Sequence, residues 1–184
     1  MRVITGKYRG RPLAGPKHAG LRPTAERVRE ALFNIIGTKI IEAAWLDLFA
    51  GTGAVGIEAL SRGASSIVLV DENFLSVKLI KSNLKILNPD EPIRLLSMSA
   101  ARAVSFLAKE KVQFDLIFLD PPFEADLLGE TMALIAEKDL LRSDGWLIAE
   151  HDKRLPEMKS VVPNYQLIQT REYGDLALTF FGKA

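Results

Sequence analysis

A chain of 184 residues, 48% hydrophobic and 26% charged, has the length and make-up of one globular domain with a proper core. It holds no cysteine, which excludes disulfides, thiolate metal sites and a cysteine nucleophile. No apolar run approaches the roughly 20 residues a membrane span needs, and the opening Met1-Arg2-Val3-Ile4-Thr5-Gly6 lacks the pattern of a signal peptide, so a cytoplasmic, monomeric protein with a single domain over 1–184 is expected.

The net charge of +1 conceals an asymmetry. Residues 1–29 carry eight Lys or Arg and one acid, Glu26, a net +7; the other 155 residues carry 16 basic and 22 acidic side chains, a net −6. A basic arm (1–22) on a mildly acidic body (23–184) is the expected organisation, and the natural partner of such an arm is a polyanion.

In chain order, Thr5-Gly6-Lys7-Tyr8-Arg9-Gly10-Arg11 reads as short extended pieces broken by glycine, an N-terminal β-hairpin. Pro23 and Thr24 start a helix that places Val28, Ala31, Leu32, Ile35 and Ile36 on one face and stops at Gly37. Strand 45–50 leads through Gly51-Thr52-Gly53-Ala54-Val55-Gly56 into a helix ending near Gly63. Strand 66–70 ends at Asp71, and the following helix lines up Val77, Ile80, Leu84 and Leu87. Strand 93–97, a helix around 100–109, strand 114–119 and the run Asp120-Pro121-Pro122-Phe123 come next. Asp126 can cap a helix to about 137, and strand 146–150 follows Gly145.

Apolar strands alternating with amphipathic helices predict an α/β fold, a mainly parallel sheet with helices on both faces. The segments 165–173 and 176–181, separated by Gly174-Asp175, predict a closing antiparallel hairpin. Seven strands result, an arrangement different from the plain dinucleotide-binding fold.

Ligands of such sheets bind beyond the carboxyl ends of the strands, which singles out Asp47, Asp71, Ser99, Asp120 and Glu150. Gly51, Gly53 and Gly56 fit G-x-G-x-x-G, a loop that lets backbone approach a ligand. Asp71, 20 residues past Gly51, suits the hydroxyls of a ribose, in NAD or in S-adenosylmethionine (SAM); such an acid also serves simply as a helix cap. Asp47 separates the two ligands. An acid in an apolar strand calls for a cation; the methionine part of SAM offers an ammonium and a sulfonium, whereas a dinucleotide brings a pyrophosphate. A carboxylate hydrogen-bonded to the loop's own N–H groups is the plainer reading, compatible with the first.

Pro121 and Pro122 lack N–H donors and leave carbonyls as acceptors. Asp120 and a proline carbonyl can then take the two hydrogens of an exocyclic amine while Phe123 stacks on its ring, aligning the nitrogen lone pair with a methyl-sulfonium. Alternatively the run is a rigid turn without chemistry. His18 and His151, the two histidines, have no ligand-like neighbours, so no metal is expected. Glu150 and His151 are read as surface or structural residues, Trp45 and Trp146 as core.

Leu46-Asp47-Leu48-Phe49-Ala50-Gly51-Thr52-Gly53, Asp71 and Asp120-Pro121-Pro122-Phe123 resemble the class I SAM-dependent methyltransferases of amino nitrogens, with their Rossmann-like fold. Residues 21–34, from Leu21-Arg22-Pro23-Thr24 to Asn34, with Gly6 to Arg11, Glu58 to Ala64 and Tyr173-Gly174-Asp175, resemble more narrowly the RsmD family of bacterial 16S rRNA guanine-N2 methyltransferases, over essentially the whole chain. The resemblance implies SAM as donor, guanine N2 of 16S rRNA (free or in an assembled small subunit) as acceptor, and an RNA-engaging N-terminal extension. It implies catalytic roles for Asp120, Pro121, Pro122 and Phe123. It puts Asp47, Phe49, Ala50, Gly51, Gly53, Asp71, Ser99, Ala100, Arg22 and Thr24 around the cofactor. Arg22, Thr24, Arg27 and Arg29 would belong to a lid, although Arg29 can simply pair with an acid. One departure stands out: where such families carry an acid after the third strand for the adenine amino group, this chain has Ser97-Met98-Ser99-Ala100, so Ser99 would bond adenine more weakly.

On these terms Lys7, Arg9, Arg11, Lys17 and Arg27 would meet RNA phosphates and Tyr8 would stack on an unpaired base; a merely solvated hairpin is the simpler alternative. Three other functions compete. Asp-Pro-Pro-aromatic loops also serve adenine-N6 and glutamine-N5 methylation. The glycine loop with Asp71 alone would allow a nicotinamide-dependent oxidoreductase. A catalytically silent RNA-binding protein is the third.

Overall fold

The computed structural model describes residues 1–15, 26–122, 127–155 and 164–184. Expectations for Lys17, His18, Arg22, Pro23, Thr24, Phe123 and Asp126 lie outside the described residues.

Helix α1 (Glu26–Ile36) buries Val28, Leu32, Phe33 and Ile36 at helical spacing, and Gly37, at φ +57°, turns the chain into a single 3-10 turn, Gly37–Ile40. Four β/α repeats and a fifth strand follow, β1 (Ala44–Asp47), α2 (Ala54–Ser61), β2 (Ser66–Val70), α3 (Phe74–Leu84), β3 (Ile93–Leu96), α4 (Ala100–Lys109), β4 (Phe114–Leu119), α5 (Leu127–Glu137) and β5 (Leu141–Asp152), closed by the hairpin β6 (Tyr165–Tyr173) and β7 (Leu176–Lys183). The sheet order is β3-β2-β1-β4-β5-β7-β6, parallel through β5 and antiparallel at β5–β7 and β6–β7. The order reverses between β1 and β4, the place where open α/β sheets bind ligands.

Side chains alternate across the sheet with period two. Trp45, Leu116, Phe118 and Ile148 face α1, α2 and α3, while Leu46, Ile117, Leu119 and Leu147 face α4 and α5. Phe33, Trp45 and Phe118 stack in series on the first face, with ring centroids 5.6 and 6.1 Å apart. Trp45 is fully buried; Trp146, half-buried, meets the Phe180 ring edge-on.

Two strands differ from expectation. β1 ends at Asp47 instead of running to 50, so Asp47 is its last residue. β5 runs from Leu141 to Asp152 instead of 146–150, taking in the polar residues Arg142-Ser143-Asp144, and the register of β4 against β5 jumps at this point between Phe114 and Leu116. Gly145 is required there, because a Cβ would lie 2.9 Å from the Asp115 carbonyl oxygen.

The basic N-terminus forms a tight antiparallel loop with one isolated bridge, Arg2–Pro12, in place of a regular hairpin. Val3, Tyr8 and Leu13 are buried in it. It is fastened to α2, a helix whose every residue is buried. The Ile4 and Thr5 N–H groups donate to the Glu58 carboxylate at 2.8 and 2.9 Å, and Lys7 N–H donates to the Ser61 carbonyl at 2.9 Å. Gly6, at φ +86°, crosses so close that a Cβ would fall 1.7 Å from the Ser61 carbonyl oxygen. Arg62 Nε donates to Glu58 at 2.8 Å, and Arg29, fully buried, faces it at 3.8 Å while donating to the Arg2 carbonyl at 2.6 Å. Burial pulls the Arg29 pKa down and Glu58 holds it up.

Replacing Glu58 by Ala should therefore cost about 3–5 kcal/mol, the penalty for leaving a buried cation uncompensated, and should expose the loop around Lys7 and Arg9 to trypsin. Urea unfolding and limited proteolysis check this; a loss below about 1 kcal/mol would show that the Glu58 cluster does not hold the N-terminus.

Candidate active site at the carboxyl ends of the strands

The glycine loop follows β1 directly. Gly51 and Gly53 sit at φ +54° and +75°, left-handed conformations that favour glycine. Gly56 serves packing: its Cβ would come within 2.3 Å of a Leu69 methyl carbon, so only glycine lets α2 lie against β2. Gly53, the residue before α2, offers no side chain to cap it, and the Thr52 hydroxyl accepts from Ala54 N–H at 3.3 Å instead. Asn83 on α3 is buried and donates to the Thr52 carbonyl at 2.9 Å, fixing the loop from behind.

Asp71 is half-buried just beyond β2, and its two oxygens accept from Gly51 N–H and Asn73 N–H, each at 2.8 Å. It braces the glycine loop. The cap of α3 is the next polar residue, Asn73, which accepts from Leu75 and Ser76 N–H. Burial raises the Asp71 pKa, an effect the two N–H donors oppose.

Asp47 has 1% of its surface exposed, and no donor reaches hydrogen-bonding geometry at either oxygen. Its pKa is raised well above the ordinary carboxylate value, first by burial and then by the negative charge of Asp120, with Asp71 adding to it; the Phe49 and Gly56 N–H groups offset only part of this. Asp120 stands half-buried past the end of β4, two residues beyond Phe118, the partner of Asp47 across the sheet. Three carboxylates thus ring the loop from the ends of the adjacent strands β2, β1 and β4. Such a bowl favours an organic cation. Among the described residues no group of three or more His, Cys, Asp or Glu side chains could hold a metal ion.

A groove of about 430 Å³ opens beside the bowl, lined by Phe49, Ser99, Ala100, Leu127 and Thr131. It brings Phe49, Ser99 and Ala100 together. Leu127 and Thr131, on α5, had no signal of their own in the sequence, since their roles depend on how α5 packs beside α4. Pro121 is half-buried and Pro122 exposed at the rim.

The N-terminal residues need correction. Tyr8 is 6% exposed, its hydroxyl bonded to Glu91 and to Asn88 N–H. Lys7 Nζ and the Arg11 guanidinium lie 5.3 and 4.9 Å from its ring centre. A ring already held between two cations is not available to stack on RNA. Lys7 also pairs with Glu91 at 2.6 Å, and Arg11 donates to the Ile86 carbonyl, so both are partly spent inside the fold. Arg9 and Arg27 are exposed. Glu150 and His151 are buried, not on the surface: His151 contacts the Asp152 carbonyl and the Thr179 hydroxyl, each at 2.8 Å, and burial lowers its pKa.

The model of the family described as Conserved hypothetical protein 95 matches residues 1–182. Over 183 residues the chain is 38% identical to the Bacillus subtilis protein YlbH, provisionally named an rRNA methyltransferase, covering 100% of this chain and 99% of that one. Over 165 residues it is 42% identical to Ribosomal RNA small subunit methyltransferase D of Escherichia coli K12, covering 89% of this chain and 76% of that one. Among solved structures, a hypothetical protein of Thermus thermophilus, TTHA0928, superposes with a TM-score of 0.81 at 30% identity, covering 98% of each chain.

Because Asp47 holds its proton more tightly folded than unfolded, its favourable contribution is complete below the ordinary carboxylate pKa of 3.8 and is lost as pH rises toward the elevated folded value. Asp47→Asn should accordingly stabilise the ligand-free protein at pH 7 by about 1–3 kcal/mol and flatten the loss of stability with rising pH; Asp71, shifted the same way, keeps part of the slope. Urea unfolding at a series of pH values reads both, and an unchanged slope would show that Asp47 is satisfied in the fold.

Proposed function

The chain belongs to the family described as Conserved hypothetical protein 95, the RsmD family of methyltransferases, and from that premise we propose that it transfers a methyl group from SAM to the exocyclic N2 of a guanine in 16S rRNA. The observation that carries the reading is Asp47: a buried carboxylate, offset only in part by the Phe49 and Gly56 N–H groups, at the mouth of a glycine loop and beside two further acids. A cationic ligand relieves that arrangement, and a pyrophosphate aggravates it. The names of the relatives support rRNA as the acceptor class.

When bound, SAM supplies an electrophilic methyl carbon on a sulfonium. The residues around the site fit it. Asp47 and the backbone of the glycine loop at Gly51 and Gly53 would line the amino-acid end, Asp71 would take the ribose hydroxyls, and Phe49, Ser99 and Ala100 the adenine, with Leu127 closing that groove. Asp120 and the Pro121 carbonyl would accept the two hydrogens of the guanine amine, since neither proline offers a donor to compete. Holding those hydrogens in the plane turns the nitrogen lone pair toward the methyl carbon for in-line attack. As the amine took up the methyl group, its surplus proton would leave through Asp120 or solvent. The carboxylate opposes the charge that builds on nitrogen. Phe123 would stack on the base. On this reading the enzyme works in the cytoplasm as a monomer, on rRNA that is free or assembling into the small subunit.

Asp120→Ala should keep SAM affinity within about threefold and lower transfer from tritiated SAM to 16S rRNA by well over tenfold. Nuclease digestion and mass spectrometry of the wild-type product should yield N2-methylguanosine. Label on adenine N6 or on protein glutamine would move the acceptor, and undiminished transfer by the variant would remove Asp120 from the mechanism.

A further inference from the structure

With Tyr8, Lys7 and Arg11 engaged within the fold, the surface that would hold RNA must be sought elsewhere. Helix α3 presents one. Phe74 is 77% and Leu75 60% exposed, the most exposed large apolar side chains described. Phe74 begins the helix right after the Asn73 cap, three residues past Asp71, so it stands at the rim of the candidate site. Lys78, Lys81 and Lys85 follow it at intervals of four, three and four residues. At 100° per residue, Phe74 and these lysines fall within an arc of about 60° and span about 16 Å of helix. All three lysines are exposed, and none has an ion-pair partner among the described residues.

The stripe continues past the helix. Arg11 donates to the Ile86 carbonyl and Asn88 N–H donates to the Tyr8 hydroxyl, so residues 8–11 are pinned against the end of α3, with exposed Arg9 among them. The nearby acid Glu91 is neutralised by Lys7. A row of unpaired cations headed by an exposed aromatic ring has the make-up of a single-stranded nucleic-acid track, in which charge follows the backbone and the ring takes a base.

Resting on the rRNA reading above, we propose that the outward face of α3, from Phe74 through Lys78, Lys81 and Lys85 to Arg9, is the track that holds the single-stranded RNA flanking the target base: the cations take phosphates and Phe74 stacks on an unpaired neighbour of that base. Lysine-to-alanine changes on an exposed helix face are nearly neutral for stability, so binding can be read cleanly. A labelled 16S rRNA transcript is titrated with protein across a salt series, and SAM affinity is measured in parallel. The triple variant Lys78→Ala, Lys81→Ala, Lys85→Ala should make the slope of log affinity against log salt shallower by about 2, as expected for three lost single-strand phosphate contacts. Phe74→Ala should weaken binding about 5- to 100-fold with the slope unchanged. The triple lysine-to-arginine variant should restore wild-type binding, and SAM affinity should stay constant throughout.

The control is Arg102→Ala with Lys109→Ala on α4, across the sheet, which should leave the slope as it is. The proposal fails if the α3 variants bind like wild type, or if the α4 pair loses as much. It fails also if Phe74→Ala weakens binding to small-subunit particles and not to the bare transcript, which would make the ring a protein contact. A wild-type protein that neither binds nor methylates 16S rRNA would remove the function itself, whereas wild-type activity with unaffected α3 variants removes only the track.

Discussion

The position of the first thirteen residues hangs on one buried carboxylate. Glu58 lies on a helix with no exposed face, where an ion survives only if it is paired and hydrogen-bonded. It meets that demand by taking the backbone N–H groups of Ile4 and Thr5, the Arg62 guanidinium, and the field of Arg29 on α1. Each of these ties fixes something else. The first two fasten the N-terminal loop, and Arg29 orients α1 and, through the Arg2 carbonyl, the loop's first strand-like stretch. Because α2 begins at the glycine loop, the same carboxylate sets how the basic N-terminus stands relative to the candidate site.

Charge is distributed with a logic that net charge hides. Acids gather in the bowl, where Asp47 is buried and Asp71 and Asp120 sit half-buried. Cations gather on the first residues and on the outer face of α3. The result is a protein of formal charge +1 with two surfaces of opposite preference.

Much of the fold was legible because it depends on local pattern. The alternation of apolar strands with helices gave the parallel sheet, and Gly174-Asp175 gave the closing hairpin, both present in the structure. Where legibility failed, a tertiary partner decided the matter. Arg142-Ser143-Asp144, polar and outside the expected strand, is part of it where the register against β4 shifts. Tyr8 looks like a base platform and is buried because Glu91, 83 residues away, takes its hydroxyl. Glu58 stood in the sequence only as part of a family resemblance, with no role of its own, because two of its partners are backbone groups some 53 residues upstream. In the site, the glycine spacing, Asp47, Asp71 and Asp120 could be chosen from sequence because strand ends are predictable places. The α5 side of the adjoining groove could not, because it depends on how two helices pack.

The acidic bowl also constrains how a nucleic acid can approach. A phosphate about 10 Å from one carboxylate is opposed by roughly 1.7 kcal/mol at an effective dielectric constant near 20, and three carboxylates multiply the cost. A duplex lowered onto the strand ends would bring its backbone into that field. A single base swung out of its stack would not, because the base is neutral and, on the proposed mechanism, the acids would accept its amine hydrogens. The geometry therefore favours a division of labour: the neutral base enters among the acids, and its phosphates stay outside with the cations. On the proposed reading the cofactor would obey the same rule, since its cationic end would sit in the bowl and it carries no phosphate to be repelled. One electrostatic arrangement would then select both ligands, before any hydrogen bond to either is counted.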